Sequence, residues 1–339
     1  MITIRDVAGE ANVSISTVSR VLNNNPNVSR DKYNRVMEAI EKVGYIPQVK
    51  DKQQPAAADF VSDDPEFAGY ILIVAHALIK EAVFSIQENA AEFGYEVIIN
   101  YTDGEGYADK NLYRYLDLSG NLAGIIAISP SNDDRIYDEE IFRKYPVVQV
   151  GSSSRQLGDF MVSTDDFRCA HDMTSYLLRK GHRDIVMLAG ENREMAMGYA
   201  SQRETGFTVA MRGSGVDDKD IRIIRTEMSL HGGHVAARQL LAEEKLPDAV
   251  FSMTDFAAIG FIHELEKHGC RVPEDVAVCC INSEGDYNPD IRPKLTAAVQ
   301  SYDEIGAESV RLLRMLAADE VSSGRKSYIG YHLIEGETA

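Results

Sequence analysis

No run of eighteen apolar residues occurs in this 339-residue chain, and its first residues lack the basic stretch and apolar core of a secretory signal. These absences argue against a helical membrane span and predict a cytoplasmic protein. Cysteine is scarce: Cys169, Cys270, Cys279 and Cys280 form no Cys-x-x-Cys pair, and they read as small, reduced core residues. Gly104-Glu105-Gly106 lacks the third glycine of a dinucleotide loop and reads as a turn. A nucleophile elbow, a Walker loop and a metal-ligand set are missing too, so neither an enzyme nor a cofactor is expected. His231-Gly-Gly-His234 has two imidazoles at i, i+3, but no acidic or thiol residue stands beside them in sequence, and a helix N-terminus accounts for the glycines. No metal site is predicted.

Positive charge is also in short supply, with 35 Lys/Arg against 53 Asp/Glu and a net charge of −18. Residues 1–50 hold seven basic and five acidic residues, a balance of +2, which leaves −20 for the remainder. Only the N-terminal segment can accept a polyanion.

That segment carries the most informative pattern in the chain. Val18, Val21 and Leu22 fall at i, i+3 and i+4, while Ser16, Thr17, Ser19, Arg20 and Asn23 lie on the other face. Short hydroxyls around one guanidinium suit phosphate oxygens and base edges. Thr3 with Asp6 marks an earlier helix start, and Val7, Ala8 and Ala11 give that helix an apolar face. Asn12-Val13-Ser14 reads as the turn, Asn12 tolerating a left-handed backbone and Ser14 capping the second helix. A third helix from Ser29 to about Val43 carries Tyr33, Val36, Met37, Ile40 and Val43 in a stripe, ended by Gly44. Three short helices closing on one core make a helix-turn-helix headpiece.

Residues 1–47, from Thr-Ile-Arg-Asp-Val-Ala through Val-Ser-Ile-Ser-Thr-Val-Ser-Arg-Val-Leu-Asn to Gly-Tyr-Ile-Pro, resemble the headpiece of the LacI/GalR family of bacterial transcription regulators. The resemblance implies that Ile15, Ser16 and Arg20 read base edges, and that Thr3, Ser14, Thr17, Ser19 and Asn23 hold phosphates. Residues 48–67 lose the apolar periodicity and contain Pro55 and Pro65, which marks a linker. Where the family carries an Ala-Arg-x-Leu hinge element, this chain has Asp51, Lys52, Gln53 and Gln54. The apolar wedge that would unstack a base step is missing.

Beyond the linker, buried-strand patterns alternate with helical ones. Strands are predicted at 70–75, 96–100, 123–128 and 147–150, then at 185–189, 221–224, 249–253 and 276–281, with helices between. Two such cycles in tandem predict two doubly wound parallel sheets over 68–339. The family resemblance implies an α/β, two-lobed, periplasmic-binding-protein-like core, carried by Gly181-His-Arg-Asp-Ile185, Arg203-Glu-Thr-Gly-Phe207, Thr254-Asp-Phe-Ala-Ala-Ile-Gly260 and Val272-Pro-Glu-Asp-Val276. Ligands of such folds lie beyond the carboxyl ends of the strands. Arg203 in Arg-x-x-Gly-Phe is the first candidate effector contact, since a guanidinium can fork onto two ligand oxygens. Asp255, Asn282 and His76 each follow a predicted strand and complete the candidate set, with Asp255 open to plain helix capping.

The expected partners are pseudo-palindromic operator DNA, a small molecule such as a sugar or sugar derivative, and a second copy of the chain. A homodimer follows from two-fold symmetric half-sites, and Tyr331–Ala339 has no heptads for a tetramerising coil. The expected function is a transcriptional repressor responding to a cleft ligand. The alternatives are a regulator answering to a protein co-regulator such as a phosphocarrier, and a cytoplasmic sugar-binding protein without a regulatory role.

Overall fold

The computed structural model describes residues 4–22, 32, 35, 36, 39, 42, 67–75, 80–102, 110–130, 137, 140–151, 154, 157–191, 198–282 and 293–339. The chain divides into two compact units, Met1–Asp59 and Phe60–Ala339. The linker residues 48–66 and the Gly104–Gly106 turn lie outside the described residues.

In the first unit, helices α1 (Ile4–Glu10) and α2 (Ile15–Leu22) meet across a tight turn. Asn12 takes φ 49°, the left-handed conformation a short polar side chain tolerates. Ser14 Oγ accepts the amide of Thr17 at 3.2 Å, so the predicted cap of α2 is made. Val7, Ala8, Ala11, Val18 and Val21 close the core, joined from the third helical stretch by Val36 and Ala39. Arg35 Nη2 donates to the carbonyls of Ala11 and Asn12, satisfying acceptors left open where α1 ends.

The second unit holds two six-stranded sheets. The first lobe begins with β1 (Gly69–Ala75), α3 (Lys80–Ala91), β2 (Tyr95–Tyr101), α4 (Lys110–Ser119), β3 (Leu122–Ile128), α5 (Ile141–Lys144), β4 (Val147–Val150) and β5 (Met161–Thr164). The second contains α6 (Asp166–Arg179), β6 (Ile185–Gly190), α7 (Tyr199–Gly213), β7 (Arg222–Thr226), α8 (Leu230–Leu241), β8 (Ala249–Ser252), α9 (Asp255–Lys267), β9 (Ala277–Asn282) and β10 (Thr296–Gln300). The chain then returns to the first lobe as α10 (Tyr302–Ala317) and β11 (Lys326–Ile329), and ends in the second as β12 (Tyr331–Ile334). The strand orders are β11-β5-β4-β3-β1-β2 and β12-β10-β9-β8-β6-β7. Every pairing is parallel except that of β12 with β10.

The lobes are therefore interleaved, which corrects the tandem arrangement read from the sequence. The reason lies in the cores. Tyr302, Ile305, Val310, Leu312 and Leu313 of α10 are buried with Ile71, Ile73, Ile126 and Val148 of the first sheet, so that core is completed by a segment that follows β6 to β10 in the chain. β5, β10, β11 and β12 read Met-Val-Ser-Thr, Thr-Ala-Ala-Val-Gln, Lys-Ser-Tyr-Ile and Tyr-His-Leu-Ile, short stretches that mix polar with apolar residues and so lack the continuous apolar run of a buried strand. Among the predicted strands β1, β3, β4, β6 and β8 are almost continuously buried, as expected for sheets covered on both faces, while β2 and β7, at the sheet edges, are only partly buried.

Each crossing takes place at a carboxyl end: after β5, after β10 and after β11, which runs parallel to β5. Both sheets consequently present their carboxyl ends to the junction between the lobes. Their strand orders reverse between β1 and β3 in the first lobe and between β6 and β8 in the second. Those are the switch points at which open α/β sheets bind ligands.

Close packing of α8 on α9 explains Gly233 better than a helix start alone, while a Cβ on Gly232 would run into the carbonyl of Glu227 just before α8. A Cβ on Gly233 would run into the backbone carbonyl of Ala257, and one on Gly260 into that of Leu230. Alanine in place of a helical glycine ordinarily stabilises by roughly 0.5–1 kcal/mol. Here Gly233→Ala should instead destabilise by about 1–3 kcal/mol, because backbone must move. Gly213→Ala, at a position where nothing lies within 4 Å, should be neutral or stabilising. Urea unfolding of the full chain measures both; a stabilised Gly233 variant would contradict the close approach of the helices.

Candidate functional site

Two surfaces carry candidate chemistry. On the first unit, the outer side of α2 exposes Ile15 at 44% and also Ser14, whose hydroxyl lies 2.8 Å from that of Thr17. Ser16, Ser19 and Arg20 lie on the α2 backbone, with side chains outside the described residues, while Thr3 and Asn23 lie outside altogether. The buried stripe of Val18 and Val21 turns this polar side away from the core.

The second surface is the carboxyl-end junction of the lobes. Arg203 lies in the second turn of α7, and only 5% of it is exposed. Its Nε donates to Asp166 Oδ1 at 2.7 Å and its Nη1 to the carbonyl of Met253, just past β8, at 2.8 Å. The guanidinium lies over the ring of Tyr199 at 4.8 Å. Arg203 is thus a buried, bonded residue. It spans the second lobe's switch point from the helix after β6 to the end of β8. Among the described residues Nη2 makes no hydrogen bond, leaving its two donors for other acceptors.

The electrostatics of the pair are one-directional. Burial works against the Arg203 charge, but the adjacent Asp166 carboxylate more than offsets it and raises the guanidinium's pKa above its usual value. Burial likewise pushes the Asp166 carboxyl up, against the pull of Arg203, so Asp166 depends on that cation to stay ionised. Asp166 opens α6, directly after the crossing residue Asp165, whose own side chain caps the helix at Arg168 N.

Asp255 is 3% exposed and is the first residue of α9; its Oδ1 accepts the amide of Phe256 at 2.8 Å. The helix cap itself is Thr254, which accepts from Ala257 N. Asn282 ends β9, with its side chain outside the described residues, and His76 lies outside them entirely. Arg203 and Asp255 are thus brought to the same junction, either side of the end of β8.

Other members of the junction escaped the sequence reading. Thr164 Oγ1 donates to Gln300 Oε1 at 2.9 Å and Gln300 Nε2 to Tyr302 Oη at 2.9 Å, stitching two crossings together. Burial raises the Tyr302 phenol, and the charges of Arg203, Asp166, Glu81 and Asp255 all act on it. Asp166 had one legible signal, a carboxylate placed inside a helix start rather than on its cap. Tyr199 had another, its spacing of four before Arg203, which stacks side chains on a helix.

Of the two histidines of His231-Gly-Gly-His234, His234 has a nearby acid from another helix. Glu264 of α9 lies 3.1 Å from His234 Nδ1 and accepts from Arg238 Nε at 2.6 Å, which holds its pKa down to about 2. No group of three metal-ligating side chains occurs among the described residues. The thiols are free; Cys169, Cys279 and Cys280 are buried, and burial pushes Cys169 up to about 12. No helix of the described residues is long and apolar enough to cross a membrane.

Comparison with known proteins gives these surfaces a context. The description "bacterial regulatory proteins, lacI family" matches residues 3–48, and a periplasmic binding protein-like domain matches residues 174–339. Catabolite control protein A of Priestia megaterium is 31% identical over 316 residues, covering 92% of this chain and 91% of that protein. Its namesake from Staphylococcus xylosus is 28% identical, covering 94% and 93%. Among solved structures, a transcriptional regulator CelR–cellobiose complex aligns over 100% of both chains with a TM-score of 0.68 and 23% identity. A Lac repressor dimer bound to operator and an anti-inducer aligns over 99% of this chain and 98% of that one, again with a TM-score of 0.68 and 23% identity. The solved structures match in fold, while the relative that is 31% identical along almost the whole length matches in descent. This chain belongs to the LacI family of bacterial regulatory proteins and is a regulator rather than an enzyme.

Proposed function

We propose that this protein is a cytoplasmic transcriptional repressor that binds pseudo-palindromic operator DNA as a homodimer and is controlled by a small molecule between the lobes of its core. The effector is a sugar or sugar derivative. In this reading residues 1–47 form the headpiece, 48–67 the linker, and 68–339 the effector-binding and dimerising core. One observation carries it: Arg203, fixed at the second lobe's switch point by Asp166 and Met253, has an Nη2 group that meets no acceptor among the described residues, where the carboxyl ends of both sheets meet. Related structures fit the assignment. Two of them are regulators in complex with cellobiose and with sucrose, the latter from Weissella paramesenteroides.

On this reading Arg203 and Asp255 contact the effector from the second lobe, with Asn282 beside them and His76 opposite. A ligand that prefers one lobe orientation shifts the population toward it, and DNA affinity follows by linkage. Support for pairing comes from large apolar side chains left exposed on both lobes, Phe84, Ile99 and Tyr101 on one and Leu230, Val235 and Phe256 on the other. On DNA, Ile15, Ser16 and Arg20 read bases, while Thr3, Ser14, Thr17, Ser19 and Asn23 hold phosphates.

Two experiments test the reading. Arg20→Ala should cost about 1–3 kcal/mol on the selected operator and much less on random DNA; equal losses in a binding titration would make Arg20 a phosphate contact. For the core, Arg203→Lys keeps a cation beside Asp166 but loses the planar fork. A sugar that stabilises the full chain at a hundred times its dissociation constant should add about 2.7 kcal/mol, and the variant should lose most of that thermal shift while keeping its unliganded melting temperature within a few degrees. An undiminished shift in the variant would remove Arg203 from the site.

A further inference from the structure

The stretch that follows the third crossing is held to the second lobe by its ends. β12 itself is a four-residue edge strand paired only with β10, and its His332, Leu333 and Ile334 are exposed. At its start Tyr331 Oη donates to Asp172 Oδ2 of α6 at 2.7 Å. Beyond its finish, residues 336–339 lie along the amino ends of β9 and β10. Gly336 N donates to Thr296 Oγ1 at 3.0 Å, Glu337 N donates to the Lys294 carbonyl at 2.7 Å, and the Glu337 carboxylate accepts Lys294 N at 2.9 Å. Tyr176 Oη, one turn past Asp172 on α6, donates to the Ala339 carbonyl at 3.1 Å. A Cβ on Gly336 would meet the Lys294 carbonyl, so the close approach requires glycine.

Thr338 is the pin. It is fully buried, and its hydroxyl accepts Thr296 N at 2.9 Å while donating to the Val278 carbonyl at 2.6 Å. Its own carbonyl accepts Val278 N at 2.6 Å. One residue therefore bridges the backbones of β9 and β10 at the amino end of their parallel ladder, where Val278 and Thr296 are both buried. A valine of the same shape could make neither hydroxyl bond, and buried backbone groups are costly to leave without partners.

These contacts bear on the hinge. β10 leads into the second crossing at Ser301 and β12 receives the third at Gly330, so the strands fastened by 336–339 carry two of the three connections between the lobes. Before Gly330, β11 is held to the first lobe by its pairing with β5 and by Ser327 Oγ donating to Glu308 of α10 at 2.7 Å. Helix α6, gripped at Asp172 and Tyr176, carries Asp166 in its first turn, the partner of Arg203. We infer that residues 331–339 form a latch that limits rotation of the lobes. Seated, it fixes the third crossing to the second lobe. Unseated, it leaves β12 as a short, exposed edge strand that peels from β10, and the hinge runs on two crossings alone. The latch rests on these contacts and not on what the junction binds.

The test reads the hinge directly in the full chain. Spin labels go on Leu118→Cys in the first lobe and Glu244→Cys in the second, both exposed, with the half-buried Cys270 replaced by serine. Dilution with unlabelled chain confines the measured distances to one copy. Thr338→Val should broaden the lobe-to-lobe distance distribution, and amides of 326–335 should exchange about tenfold faster than in the parent. Thr338→Ser, which keeps both hydroxyl bonds, should match the parent. Tyr331→Phe removes only the bond to Asp172 and should broaden the distribution by less; it decides the matter if the valine variant does not fold. A parental distribution in the deciding variant overturns the latch. So does equal broadening in Thr338→Ser, or broadening without faster exchange at 326–335, which would place the motion elsewhere.

Discussion

A buried ion pair, Asp166 with Arg203, sets the geometry on which the effector-binding core depends. Taking both charges out of water is costly, and the cost is met only when each group keeps the other and the remaining hydrogen bonds are good. Here the guanidinium also takes the Met253 carbonyl, so one side chain joins the first turn of α6, the second turn of α7 and the end of β8. Those are the point where the chain enters the second lobe, the helix after β6, and the strand across the switch point from it. Moving any of them leaves a buried charge unpaired, so the fork that remains on Nη2 is held in place before a ligand arrives. Preorganisation of that kind reduces the ordering cost of binding.

The second constraint is the interleaving of the lobes. A single residue separates the elements at each crossing, Asp165, Ser301 and Gly330, so the lobes cannot drift apart yet can rotate about three short strands of chain. The Thr164–Gln300–Tyr302 hydrogen bonds tie two of these crossings together. A ligand that fills the junction acts where the lever arms are shortest, and a small change there becomes a larger displacement at the outer ends of the lobes. The apolar core of the first lobe depends on α10, which follows the second crossing, so hinge and core are built from the same segment.

How far the sequence could be read depended on how locally each feature is encoded. The headpiece is local: the Val18 and Val21 stripe, the left-handed Asn12 and the Ser14 cap all involve neighbours a few residues apart, and each is found as the pattern predicts. The long buried strands were legible for the same reason. What stayed hidden rests on distant partners. Nothing near Arg203 announces Asp166, thirty-seven positions earlier. Likewise Gly233 reads as a helix start until α9 is seen to pack against it, and His234 seems without an acid until Glu264 arrives from that same helix. The interleaving was invisible because β5, β10, β11 and β12 mix polar with apolar residues over four or five positions, and such stretches lack the apolar run that made the equally short β4 and β8 legible.

The distribution of charge ties the two ends of the mechanism together. A headpiece with a balance of only +2 releases few counterions on DNA, so a single copy would bind weakly, and a tethered pair that docks on both half-sites gains what one lacks. The remaining −20 discourages the rest of the chain from binding a polyanion and so confines phosphate contact to the headpiece.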